Sequence, residues 1–148
     1  MGRSSWIIGA VIVLAILINA MTNIANEAAS PSREAPASAE AQDRAAQSDL
    51  RNALAAAKTY FADGDSYKGW DPTDAARIEP SLSYVGDRTA TVGVISINLA
   101  TKAEVVMSTV SESGQAFCIA DAPTGSGTTF GRVDVSGAAS TGACIGGW

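Results

Sequence analysis

The side chains able to do chemistry are few, and the two cysteines come first. Cys118 and Cys144 are the only pair in the chain. In an oxidising compartment an even pair reads as a disulfide. Two free thiols, or a metal pair lacking other ligands, are the alternatives. Closing that 26-residue separation contributes roughly 3 to 4 kcal/mol by loop entropy. Histidine is absent, which removes the commonest general base, the usual metal ligand and the usual pH switch. A Ser-His-Asp or Cys-His arrangement is therefore impossible. A Ser-Lys pair stays open in principle, and nothing marks one. Asp63, Asp65 and Asp71 could hold Ca²⁺, since hard cations take several carboxylates from one loop. Their spacing does not match the calcium loop, and a helix stop accounts for the first two. Gly125-Ser126-Gly127 lacks the Lys and the following helix of a phosphate loop. These residues predict a protein that is not an enzyme, with no metal and no cofactor.

The elements that must position those cysteines begin with a membrane segment. Trp6 to Met21 reads WIIGAVIVLAILINAM, without a charged side chain. A run this apolar cannot be a surface helix, which needs a polar face. A bilayer core takes about 20 apolar residues, which residues 6–25 supply with Asn19, Thr22 and Asn23 at the headgroup boundary. A secretory signal has a shorter apolar core and a small-residue cleavage site, for which Ile18-Asn19-Ala20 or Asn23-Ile24-Ala25 would serve. The length favours a retained signal anchor over residues 1–25. Its lipid-facing residues are Trp6, Ile7, Ile8, Val11, Ile12, Val13, Leu14, Ile16 and Leu17. Arg3 on the short side predicts the N-terminus in the cytoplasm and an exported C-terminal domain in a single-pass topology.

Charge narrows the partners. The chain carries ten basic and fifteen acidic residues, for a net −5. With Arg3 before the membrane segment, the exported part stands at −6. That excludes nucleic acid and an anionic membrane surface as partners of the exported part.

Residues 26–39, NEAASPSREAPASA, form a linker in which Pro31 and Pro36 oppose a continuous helix. A domain of residues 40–148 follows. Ser38 with Glu40 and Gln42 offers capping chemistry. Residues 40–62 are good helix formers throughout. Leu50, Leu54, Ala57 and Phe61 make one apolar stripe, the packing face of that helix. Lys58 and the charged residues of 40–49 form its solvent face. Asp63-Gly64-Asp65 stops it, with Gly64 suited to the left-handed position. A short turn over 71–78 starts at an Asp-Pro cap, and Tyr67, Trp70 and Ile78 cover one end of the core. Strands are predicted at 81–85, 89–99, 104–110, 115–120 and 128–135. Short connections between them imply an antiparallel meander. Trp148 is either a C-terminal plug or an exposed contact.

This order resembles the type IV pilin and type II secretion pseudopilin family over roughly residues 40–148. The resemblance is carried by AAQSDLRNALAAAKTYFADGDSY (45–67), ARIEPSLSYV (76–85) and the late FCIA and CIGGW segments (117–120, 144–148). It implies that the first block is the exposed half of a spine helix, that the second begins the sheet, and that the late cysteines bracket a loop used for subunit contacts. One family feature is missing. A pilin leader ends at a Gly, and a glutamate stands five residues beyond the cut. Here the early glycines are Gly2 and Gly9, and Ile7 and Leu14 occupy those positions.

The expected fold is α+β: a transmembrane helix, then a long amphipathic helix on a small antiparallel sheet with a C-terminal disulfide loop. The expected function is structural, in a surface filament or secretion apparatus at the cell membrane. Its partners would be membrane lipid and other pilin-like subunits or envelope proteins. In a filament the span and Leu50, Leu54 and Phe61 would mediate assembly, unless those three are spent on the domain's own core. The other reading is a tethered extracytoplasmic module that does not polymerise and holds an envelope protein or polysaccharide.

Overall fold

The computed structural model describes residues 37–86, 89–134 and 144–148. The predicted anchor (1–25), with every lipid-facing residue named for it, and most of the linker lie outside the described residues. Among the described residues no helix is long and apolar enough to cross a membrane.

Helix α1 spans Ala39–Gly64. Ser38 starts it: its backbone is extended and its hydroxyl accepts a hydrogen bond from the amide of Ala41 at 3.3 Å. The stop differs from the expectation at Gly64. The left-handed residue is Asp65, at φ 51°, and its amide donates to the Phe61 carbonyl at 2.7 Å. Asp is among the few residues besides glycine that enter this left-handed region readily. Helix α2, Pro72–Ile78, opens as its sequence predicts: Asp71 accepts from the amides of Thr73 and Asp74 at 2.8 and 3.0 Å, and Pro72 takes the first position, where no amide is needed.

Five strands follow in one sheet of sequential order: β1 Tyr84–Gly86, β2 Ile95–Ala100, β3 Val105–Val110, β4 Ala116–Ala122 and β5 Gly127–Val133. The sheet is mixed, which corrects the fully antiparallel expectation. β2 to β5 form the antiparallel meander, whereas β1 runs parallel to β2 with Tyr84 opposite Ile95. The reason lies in residues 89–94, expected to be part of a strand over 89–99. Gly93 takes φ 66°, which a residue with a β-carbon rarely adopts, and the amide of Val94 closes onto the Thr91 carbonyl. Thr91 and Gly93 then exchange hydrogen bonds with Val110 at the end of β3. The segment thus doubles back before the sheet and enters β2 in the direction of β1.

The core lies between α1 and one face of the sheet. Leu50, Leu54 and Ala57 are buried there, with Phe61 half-buried beside them. Opposite them stand Ile97, Val105, Met107, Phe117 and Ile119. Tyr67, Trp70 and Ile78 join the same cluster, as the sequence suggested. Burying each large apolar side chain contributes roughly 1.5 to 3 kcal/mol, so this interface supplies most of the domain's cohesion. The other face is apolar too. Val106, Cys118 and Ala120 gather around Cys144, and Val110 and Ala116 around Ala90. Burial on both faces explains why β3 and β4 read as near-continuous apolar runs instead of alternating.

Candidate interaction surface

Cys118 sits mid-strand in β4 and is disulfide-bonded to Cys144, as expected. The bond brings the last residues onto the face of the sheet away from α1. Gly131 of β5 pairs with Cys118 in the ladder and so shares its face. There the backbone of Ile145 crosses it so closely that a β-carbon at 131 would collide with the Ile145 carbonyl oxygen. Only glycine fits such an approach. The amide of Gly147 next donates to the Phe130 carbonyl at 2.9 Å, which covers part of the outer edge of β5. Trp148 finally reaches the α1 side. Its indole N–H donates to the Cys118 carbonyl at 3.3 Å, and its ring lies 5.0 Å from Phe130 and 6.0 Å from Phe117. The tail therefore straps the edge of the sheet from one face to the other.

Helix α1 holds the sheet through three polar residues about two turns apart, Asp43 at the β3–β4 turn and Arg51 and Lys58 toward the β5 edge. Asp43 accepts from the hydroxyls of Ser111 and Ser113 in the β3–β4 turn at 2.7 and 2.5 Å. Those two bonds hold its carboxyl below the usual carboxylate range, burial opposes them weakly, and the Arg132 charge adds to the lowering. The guanidinium of Arg51 stacks on the Trp148 ring, 4.7 Å from its centroid. Lys58 bonds Asp121 of β4 at 3.0 Å and Thr128 of β5 at 2.9 Å. Expected on the solvent face, Lys58 is instead half-spent as a clamp on the sheet.

Asp121 is the centre of that clamp. It is buried, and it accepts from the Tyr67 and Thr128 hydroxyls at 2.5 Å each. Burial pushes its carboxyl up, but the bonds from Thr128, Tyr67 and Lys58, with the Lys58 charge, outweigh burial and hold it below the ordinary value. Tyr67 responds in the opposite sense: burial first, then Asp121, raise its phenol well above the usual range. An ionised carboxylate held by three donors is a satisfied structural group.

Leu50, Leu54 and Ala57, expected as a packing face, are wholly inside this domain. Of the two roles left open for Leu50 and Leu54, this is the one within the domain's own core, where the sheet covers them. Asp71 is taken up by its cap, and among the described residues no three acidic or cysteine side chains gather as metal ligands. Among the described residues the exposed large apolar side chains are Val92, Phe130 at 39% and Ile145 at 65%. Phe130 borders the tail and Ile145 belongs to it. Arg132, Ile145, Gly146, Gly147 and Trp148 line one open cleft beside them. Sequence reasoning missed this surface. The signal was present in the late aromatic, glycine and arginine residues, but their meeting depends on the disulfide and on strand register.

Compared with protein-family models, curated proteins and solved structures, the chain finds no match. What it defines by its own fold is a helix packed on a mixed five-stranded sheet, with a disulfide-held tail across one sheet edge.

Proposed function

We propose that this is a membrane-anchored, pilin-like structural protein of a surface filament or secretion apparatus, without catalytic activity. One observation carries the reading: a single long helix lies along a meander whose far edge is closed by a late disulfide, in the chain order of a pilin head. The anchor would be residues 1–25, with the head exported and the partners other pilin-like subunits or envelope proteins. The apolar stripe of α1 is committed to the head itself, so contacts between heads would fall on the strapped edge of the sheet.

A second reading is a tethered module that never polymerises and holds an envelope protein or polysaccharide. The absence of an acidic residue in the span at the pilin position favours it.

Shearing filaments from native cells and determining the protein's N-terminal residue in filament and membrane fractions separates the two. Recovery in filaments, with a new N-terminus inside residues 2–10, is the outcome expected of a pilin. Recovery only in membranes with Met1 or Gly2 retained would remove the filament reading and leave the tethered module.

A further inference from the structure

Among the described residues two arginines lack an ion-pair partner, and so do several carboxylates, of which Asp63 and Asp65 stand together at the end of α1. Arg44, Lys58 and Arg77 are each paired with a carboxylate. Arg51 and Arg132 are not: each lies over a ring, Trp148 and Phe117 respectively. The Arg132 charge helps hold the Asp43 carboxyl below its ordinary value, yet that carboxylate is bonded by two serines and makes no ion pair with the guanidinium. At the end of α1, Asp63 and Asp65 are exposed, and the side chain of neither makes a hydrogen bond or ion pair with another described residue.

We propose that the cleft of Arg132 and Trp148 in one copy, with Arg51 stacked on the Trp148 ring beside it, receives the Asp63-Gly64-Asp65 helix end of a second copy. This rests on the assembly reading above and names the surfaces it would use. Guanidinium forks match carboxylates in a bidentate manner that a point charge cannot. The bound tip would find two such forks, with exposed Phe130 and Ile145 as an apolar rim. Arginine and aromatic residues in one patch are the composition of an interface centre. In a chain of net charge −5, an unpaired basic cleft also steers an acidic tip toward itself. The two poles cannot meet within one molecule. Asp63 and Arg51 stand on one rigid helix, twelve residues and thus about 18 Å apart along its axis. A contact between unlike patches is head to tail, so it propagates into a filament or closes a ring instead of stopping at a two-fold dimer.

The test uses the full-length chain in its native membrane. An Arg51→Lys/Arg132→Lys variant gives up the bidentate fork, and with it part of the affinity, but keeps both charges in place and supplies primary amines. A zero-length carbodiimide then joins amine to carboxylate only where they touch. The expected result is a ladder of multimers, with peptides linked between position 51 or 132 and Asp63 or Asp65. The ladder should be lost in an added Asp63→Asn/Asp65→Asn change. Without cross-linker, Arg51→Glu/Arg132→Glu should weaken self-association by about tenfold or more, and Asp63→Lys/Asp65→Lys in the same chain should restore it. An intact Cys118–Cys144 bond in each variant reports that the head has folded. Multimers without those linked peptides would overturn the contact and leave the assembly reading standing. A protein that is monomeric throughout would remove both. If Arg51→Glu/Arg132→Glu abolishes binding to an acidic polysaccharide while multimers persist, the cleft belongs to a glycan and the proposal fails.

Discussion

The two edges of the sheet are closed by different physics. At the β5 edge the closure is polar and covalent: the Lys58–Asp121 clamp, the Arg51–Trp148 stack, and a tail tied down by the disulfide. At the β1 edge the closure is short and apolar. Helix α2 covers it, with the Pro72 ring 3.7 Å from where a β-carbon on Gly86 would stand. The Tyr84 hydroxyl is buried there without a hydrogen-bond partner among the described residues. An edge strand left open is a template for unwanted pairing. β1 limits that risk by being three residues long, whereas the seven-residue β5 relies on its strap. Redox state and steric fit should therefore act on the β5 edge far more than on the β1 edge, and acid should act on the two in opposite senses.

The largest expected effect breaks the strap. Cys118→Ala/Cys144→Ala, or reduction of the native protein, should cost roughly 3 to 4 kcal/mol by the loop-entropy model. Urea unfolding midpoints measure it, and oxidised and reduced protein with the same midpoint would mean that the bond does no more than decorate a preformed edge.

Glycine substitutions sharpen the comparison next. Gly131→Ala puts a methyl group into the Ile145 backbone, and overpacking of this kind costs about 1 to 3 kcal/mol. Gly86→Ala meets only ordinary contact distances at the Pro72 ring and should change stability by less than ~0.5 kcal/mol. Thermal melts of the two variants side by side give the contrast directly. Equal losses would show that the close approach at 131 relaxes freely.

How much of this was legible in the chain depends on the range of the interaction. The helix boundaries, the α2 cap, the Leu50, Leu54 and Ala57 stripe and the cysteine pair were readable, because each rests on local propensity, periodicity or a count. The direction of β1 was not. A short connection normally implies antiparallel pairing, and the hairpin-like fold at Gly93 that defeats the rule depends on contacts with Val110, seventeen residues further on. The role of Lys58 was lost for the same reason. On the helix wheel it is a solvent residue, and only the register of β4 with β5 brings Asp121 and Thr128 under it. The strapped surface needed all three at once: disulfide, register and a glycine able to let the tail pass.

One chemical change made at both edges should have opposite signs. Tyr67→Phe removes the donor to buried Asp121 and should cost about 1 to 2 kcal/mol, since a buried acceptor loses a charge-assisted bond. Tyr84→Phe removes a hydroxyl that has no partner and should be neutral or stabilising by up to ~1 kcal/mol. Burial, with Glu79 and Asp49 behind it, also pushes the Tyr84 phenol up to about 12, so this group stays neutral at working pH and its loss removes no charge. Denaturant unfolding of the two variants decides the matter. Destabilisation by Tyr84→Phe would mean that its hydroxyl has found a water or a partner.

Acid is the gentlest probe and again separates two carboxylates. The folded-state value of Asp121 lies below its unfolded value, so its contribution is complete above the unfolded value and fades as pH falls through the folded one. Asp43 acts in the same sense through Ser111 and Ser113. Asp49, which sits close enough to raise the Tyr84 phenol, is shifted the other way: burial alone raises it. Its contribution is present below the unfolded value and is lost as pH rises through the folded one. Melting temperatures measured between about pH 3 and 6 should therefore fall toward the acid end in the native protein, where protonation releases the β5 clamp. Asp121→Asn should flatten that fall. Asp49→Asn should raise stability at the neutral end and leave the acid end unchanged, because the native side chain is already uncharged there. If both variants shifted the curve alike, the carboxylates would share one environment, and the division between a polar edge and an apolar one would not hold.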